Sequence, residues 1–292
     1  MKTIPILNIT QFEKEESLTD FYSNDLKKHL LKNKEIFHRP HKHDFFLCVC
    51  FLKGSGIHEV DFDSYTVSPG SVFFLMPGQT HYWKFDEQPE GYIFFHSQDF
   101  YEFHFSNKKL QQFPFYYSYN NPPYINLTID NLTPLEYYFK EVNLEFHQSL
   151  PFSKQKIASL VDLIYIDLSR LYINEKTVHR SSTPIYLQTL SALETTIEAF
   201  YKTEKSAKFY AEKLSISTKH LNRITKTTLN KTTTELITER ILLEAKRLIV
   251  HSNNSLSLVG QSLGYEDYAY FSKVFKSKTH KTPMEFRKEY RL

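Results

Sequence analysis

The stretch that decides the fold is "SLGYEDYAYFSKVFKSKTHKTPMEFRK", Ser262–Lys288. A Leu-Gly-Tyr turn opens it, and a basic run studded with aromatic residues follows. Phe271, Val274 and Phe275 fall three and four apart, the period of a helix with one apolar face. Glu266 or Asp267 supplies the side-chain acceptor that begins such a helix. Some fifty residues earlier, "KLSISTKHLNRITKTTLNKTTTELI", Lys213–Ile237, has the same build.

Aligned, the two units each consist of a short helix, a tight turn and a second helix. "AKFYAEKL", "SIS" and "TKHLNRITKTT" make the first; "LSLVGQSL", "GYE" and "DYAYFSKVFKSK" make the second. This is the helix-turn-helix pattern. Ser217 is the expected N-cap in the first unit, with Leu221 and Ile224 turned inward. Lys219, Asn222, Arg223 and Lys226 then face out, as do Tyr268, Ser272, Lys273 and Lys276 in the second. Such side chains hydrogen-bond phosphates and base edges in a major groove. A single unit of this kind is more often a plain helical hairpin, because the motif is loose. Two in tandem, each basic on its second helix, reverse that balance. Charge agrees: residues 181–292 hold 18 Lys/Arg against 11 Asp/Glu, while the rest of the chain is slightly acidic.

The C-terminal stretch resembles the signature of the AraC/XylS family of transcription regulators. That signature has a small residue, Leu-Gly-Phe or Tyr, then Tyr-Phe-Ser-Arg-x-Phe-Lys and Thr-Gly-x-Thr-Pro-x-Glu-Tyr-Arg. The likeness covers Leu187–Arg287, and "ERILLEAKRLI" resembles the helix that links the family's two units. The sequence departs from the pattern at Asn230 and His280, where Gly usually closes each recognition helix, and at Gly260, where Ala is usual. The resemblance places base contacts on Lys219, Asn222 and Arg223, and on Tyr268, Ala269, Ser272 and Lys273. Lys226 is expected on a phosphate, and Lys276 is a further outward-facing DNA-binding residue.

Working back toward the N-terminus, the texture changes. "INEKTVHRSSTP", Ile173–Pro184, is polar and ends in Pro, as a linker does. Before it, "LEYYFKEVNLEF" and "KIASLVDLIYIDLSRLY" have helical periodicity. From Phe45 to Phe95, short β-branched and aromatic runs alternate with Gly and Pro turns: "DFFLCVCFL", "GIHEVDF", "SYTV", "SVFFLM", "HYWKF" and "GYIFFH". Strands at that spacing predict a barrel or jelly roll. The expected architecture has two domains. An all-β cupin-like barrel with two following helices occupies 1–173, a linker 174–186, and an all-α DNA-binding domain 187–292. With 41% hydrophobic and 16% aromatic residues the chain has ample core material. No apolar run reaches membrane-span length and the N-terminus lacks a signal-peptide core, so a soluble cytoplasmic protein without membrane association is expected. Cys48 and Cys50, the two cysteines, alternate within one apolar run and read as small buried residues.

"RPHKHDFF" and "PGSVFFLMPGQTHYW" resemble the two conserved patches of cupin barrels, the usual sensor of this family. His41, His43 and His81 raise the alternative of a metal-dependent cupin enzyme. Such enzymes carry a Glu four or five residues after the second His, where this chain has Leu47 and Cys48. An incomplete ligand set argues against catalysis, so no enzyme activity, metal or other cofactor is expected. His41, His43, His81 and Trp83 are instead taken to line a pocket for a small-molecule effector. His58, His96 and His104 show no ligand spacing. Leu160, Val161, Ile164 and Leu168 form a stripe assigned to a homodimer interface, where relatives commonly pair. The partners implied are promoter DNA, an effector, a second copy and RNA polymerase.

Overall fold

The computed structural model describes residues 4–12, 19–33, 37, 39–105, 108–116, 121–148, 150–175 and 184–290. The chain divides into two compact units between residues 177 and 178. Residues 176–183 of the expected linker lie outside the described residues.

The first unit opens with β1 (Ile6–Leu7), β2 (Phe21–Asp25), α1 (Leu26–Lys32) and β3 (Lys42–His43). Six strands follow where the apolar runs predict them: β4 (Phe46–Lys53), β5 (Gly56–Val60), β6 (Asp63–Val67), β7 (Ser71–Leu75), β8 (His81–Phe85) and β9 (Glu90–His96). Then come α2 (Gln98–His104), β10 (Tyr124–Asn126), α3 (Ile129–Gln148) and α4 (Ser153–Glu175). Two antiparallel sheets result, in the orders β10-β7-β4-β9-β2 and β6-β5-β8, beside a parallel β1-β3 pair. They meet face to face: His58 of β5 lies 4.4 Å from Phe73 of β7, centroid to centroid. The other face of the larger sheet is covered by helices, with Phe94 against Phe139 of α3 at 5.4 Å and Tyr165 of α4 at 6.0 Å.

Burial on both faces explains why β4 and β7 read as unbroken apolar runs whereas β5 alternates. It also explains Cys48 and Cys50. Both are free and buried, and burial, with a smaller push from Glu136, raises the Cys50 thiol to about 12. Neither is a nucleophile at neutral pH. The seam between sheet and helices carries a polar network. Tyr165 Oη lies 2.6 Å from His96 Nε2, and Asp162 accepts from Tyr101 Oη at 2.6 Å and pairs with Lys108.

The dimer stripe needs correction. Val161, Ile164 and Leu168 are 0 % exposed within the chain's own first unit, and Leu160 is half-buried. Helical periodicity finds an apolar stripe but does not say which surface covers it. Here the sheet and its neighbouring elements do. Each such burial is worth about 1.5–3 kcal/mol to folding, and three of the four side chains are closed to a partner.

The second unit is all helix: α5 (Pro184–Phe200), α6 (Ala207–Lys213), α7 (Thr218–Leu229), α8 (Thr233–His251), α9 (Leu256–Ser262), α10 (Tyr268–Thr279) and α11 (Pro283–Tyr290). The long α8 is the expected linking helix, packing on helices of both hairpins. Leu236, Ile237 and Ile241 are buried, Leu243 and Leu248 half-buried. Two arginines fasten it. Arg240 grips both Glu198 oxygens, at 2.6 and 2.9 Å, and its guanidinium lies 4.1 Å from the Tyr201 ring centroid. Arg287 of α11 donates to the carbonyls of Ile249 and Asn254 at 2.8 and 2.9 Å, satisfying acceptors around the C-terminal end of α8. Among the described residues, no helix is long and apolar enough to cross a membrane.

Candidate functional site

The second helices of the two hairpins, α7 and α10, are both 12 residues long and start 50 positions apart, at Thr218 and Tyr268. Their ends match at the same offset. Ser217 caps α7 by accepting from the His220 N–H, and Asp267, rather than Glu266, caps α10 by accepting from Ala269. Asn230 and His280 close them in the left-handed conformation, at φ 54° and 61°. Both departures from the usual Gly thus keep the geometry that Gly would supply. Each then runs into a capping box, Thr232 with Glu235 and Thr282 with Glu285. A Lys–Glu pair follows each, Lys231–Glu239 and Lys281–Glu289. Leu263 and Gly264 make the turn of the second hairpin. Gly264 has φ +73°, and a Cβ there would lie 2.0 Å from the Lys202 carbonyl oxygen, so only Gly fits.

The buried side chains of α7 are Leu221, Ile224, Thr225 and Thr228. At about 100° per residue, Lys219, Arg223 and Lys226 project within about 60° of one another on the opposite side. All three are exposed. In α10, Phe271 and Phe275 are buried, and Ala269, Lys273 and Lys276 occupy the same three exposed positions. Two matching faces result, with three cations on one and two on the other.

Two of the outward positions are less open than expected. Asn222 is half-buried, and its side-chain oxygen accepts the Thr233 N–H at 2.9 Å. It therefore satisfies one of the four donors that open α8 and ties α7 to α8. Ser272, its counterpart, is also half-buried. Tyr268 sits on the flank, 6.3 Å from the Phe271 ring.

In the first unit the structure brings His41, His43, His81 and Trp83 together, all at most 2 % exposed. His81 lies 4.2 Å from His41, 5.1 Å from His43 and 5.0 Å from Trp83, between ring centroids. A fourth imidazole joins them: His58 Nε2 is 3.0 Å from His81 Nδ1. Spacing along the chain gave no sign of it. The signal lay in the β5–β8 register, where His58 faces Trp83 and Val60 faces His81. Burial lowers His41 to about 4 and His43 to about 3, and holds His58 and His81 well below the ordinary histidine value. The four are neutral. His43 Nδ1–H donates to the Phe45 carbonyl at 2.6 Å, which leaves its Nε2 an acceptor. Among the described residues, no group of three or more His, Cys, Asp or Glu is arranged to hold a metal ion. His96 and His104 lie apart from the cluster, bonded to Tyr165 and to the Phe100 carbonyl.

Two family profiles match this chain, an AraC-like ligand-binding domain at residues 32–97 and a helix-turn-helix domain at residues 210–289. Together the matched segments take in half of the chain. The chain belongs to the AraC family of transcription regulators. An AraC-family relative along most of the chain is the transcriptional activator RhaR of Mannheimia succiniciproducens, 22% identical over 256 residues, 86% of this chain and 87% of the relative. The raffinose operon regulatory protein RafR of Pediococcus pentosaceus is 29% identical over 133 residues, 45% of this chain and 47% of its own length. Among solved structures, ToxT of Vibrio cholerae covers 92% of this chain and 98% of its own at 12% identity, with a TM-score of 0.44. The AraC-family assignment makes the chain a DNA-binding transcription regulator, and the relatives named here are regulators rather than enzymes.

Proposed function

We propose that this chain is a one-component regulator working in the cytoplasm, in which a small molecule held by the first unit controls promoter binding by the second. The observation that carries the DNA-reading part is the pair of matching faces, 50 residues apart, each with a side-chain cap, a left-handed closure and a following capping box at the same offsets. Lys219, Arg223 and Lys226 on α7, with Ala269, Lys273 and Lys276 on α10, are the contact residues. Asn222, Tyr268 and Ser272 serve as flanking and positioning groups. The α7 face carries more cations and Arg223 has the fork that reads guanine, so the first hairpin dominates selectivity.

Support for effector control comes from the ligand-binding profile over residues 32–97. The four-histidine cluster closes the barrel interior with its own side chains, and this favours a binding place elsewhere in the unit. Pairing of two copies is proposed through the outer face of α3 and α4, where Leu144 and Leu163 are exposed, and RNA polymerase is a further proposed partner. A gel-shift titration at several salt concentrations tests the DNA-reading part. Lys226→Ala should weaken binding to all duplexes alike and reduce the salt slope by about one. An unchanged slope and affinity would refute the assignment of α7 to the groove.

A further inference from the structure

A cleft of about 590 Å³ opens where α2 meets the bend between α3 and α4. Its volume lies within the ~300–1,000 Å³ of small-molecule sites. Phe100, Phe103, Phe146, Leu150 and Phe152 form its apolar walls. Phe100 and Phe146 are buried, but Phe103 is 86 % exposed and Phe152 78 %. Two phenyl rings left in water around one hollow carry a hydration cost that a ligand would remove. Phe152 moreover sits at φ 66°, a left-handed conformation that a bulky residue adopts only under constraint.

The polar side chains at its rim are two carboxylates, Asp20 and Asp99, with His104, Ser153, Lys154 and Gln155. Asp20 Oδ1 is shielded from solvent and accepts no hydrogen bond; its counter-charge is the half-exposed Lys154 ammonium, 3.7 Å away. His104 donates its Nδ1–H to the Phe100 carbonyl at 2.7 Å, so its remaining ring nitrogen can only accept while the ring is neutral. Lys154 is the cation beside them, with about half of its side chain in solvent. Phenyl walls beside a carboxylate oxygen that is shielded from water and accepts no hydrogen bond suit a donor-bearing, positively charged head on an apolar body.

We infer that this cleft binds a small organic cation, an amine with an aromatic or alkyl body, and that it is the effector site of the regulator. The second half of that statement rests on the effector-control reading above; the first does not. The amine's N–H groups bond Asp20 Oδ1 and displace Lys154, while its body lies between Phe103 and Phe152. α4 begins at the cleft with Ser153 and runs to Glu175, just before the segment that leads into the second unit.

Three probes of like shape separate the chemistry: 2-phenylethylamine, 2-phenylethanol and 3-phenylpropionate. Calorimetric titration of the full chain should show saturable binding of the amine, at least tenfold weaker binding of the alcohol, and none of the carboxylate. Asp20→Asn should weaken the amine at least tenfold, and Lys154→Gln should tighten it by removing the competing ammonium. Phe152→Gly should lose binding while thermal stability is kept or raised, because Gly relieves the left-handed strain. Absence of amine binding, preference for the carboxylate, or indifference to both Asp20→Asn and Lys154→Gln would overturn the site. Promoter affinity measured with and without saturating amine reports separately on control: bound amine with unchanged DNA affinity would leave the site standing and refute its role as effector site.

Discussion

Gly260 of α9 lies directly beneath the ring of Phe271 of α10: a Cβ built on it would stand 3.2 Å from two ring carbons. The missing methyl group is therefore a packing feature of the second hairpin. In an exposed helix, Gly→Ala gains about 1 kcal/mol. Here the ring is fully buried between Tyr265 and Phe275 and has little room to give. Gly260→Ala should bring no gain in melting temperature, and Gly260→Leu should unfold the hairpin. Gly264→Ala should cost on the order of 2 kcal/mol or more, from its left-handed backbone and the Lys202 carbonyl. Thermal melts of the three variants check this ordering; a clear rise for Gly260→Ala would contradict the packing argument.

Asn222 and Arg223 are neighbours in sequence but should behave differently. Arg223→Ala should cost about 1–3 kcal/mol on the preferred site and relax selectivity at one base position. Asn222→Ala removes the acceptor of the Thr233 N–H. It should lower stability by about 1 kcal/mol and weaken all duplexes alike. Binding curves on the preferred site and its single-base variants distinguish the two. A base-specific defect in Asn222→Ala would return it to the reading face.

The first unit should lose stability in mild acid. Burial, the largest cause in each case, lowers His41 and His96 to about 4, and His29 and His43 to about 3. Their unfolded value is about 6.5, so between there and the folded values the unfolded chain binds more protons. Their contribution is complete above pH ~6.5 and is lost progressively as pH falls toward the folded values. Melting temperature should stay level from about pH 8 to 7 in respect of these groups and drop below about 6.5. A stability curve flat down to pH 4 would contradict neutral burial of the cluster.

Charge placed on either side of α4 should have opposite consequences. Ile164→Glu buries a carboxylate at a fully enclosed position, at a cost of several kcal/mol, and should unfold the first unit. Leu163→Glu lies on the exposed side; it should leave the fold intact and yield monomers if the outer face pairs two copies. Sedimentation with circular dichroism reads both. A folded dimer in Leu163→Glu would place the pairing surface elsewhere.

The two helix-turn-helix units were legible in the sequence because their information is local. Caps, period and closure all lie within a dozen residues, and Ser217, Leu221, Ile224, Phe271 and Phe275 stand where the pattern puts them. Strands β4 to β9 were legible for the same reason, between their Gly and Pro turns. What was hidden depends on contacts distant in sequence. His58 reaches His81 through strand register, 23 residues away. Asn222 reaches Thr233 across a turn, 11 residues away. The stripe on α4 found its cover in its own unit, which periodicity cannot reveal. Asn222 and Ser272 also share the outward polar arc with the proposed reading positions, and only the fold separates flank from face.

Two equivalent faces, fixed by α8, are proposed to read DNA together. At about 1.5 Å per residue its 19 residues span roughly 28 Å, close to the ~34–36 Å between successive major-groove faces on one side of a duplex. Selection of bound duplexes from a random-sequence pool by the purified chain tests this on every possible site at once. The enriched motif should fall in two short parts, centred about 10–10.5 base pairs apart, with the stronger information in the part read by α7. A pool with no enriched sequence, or with one undivided motif, would contradict it.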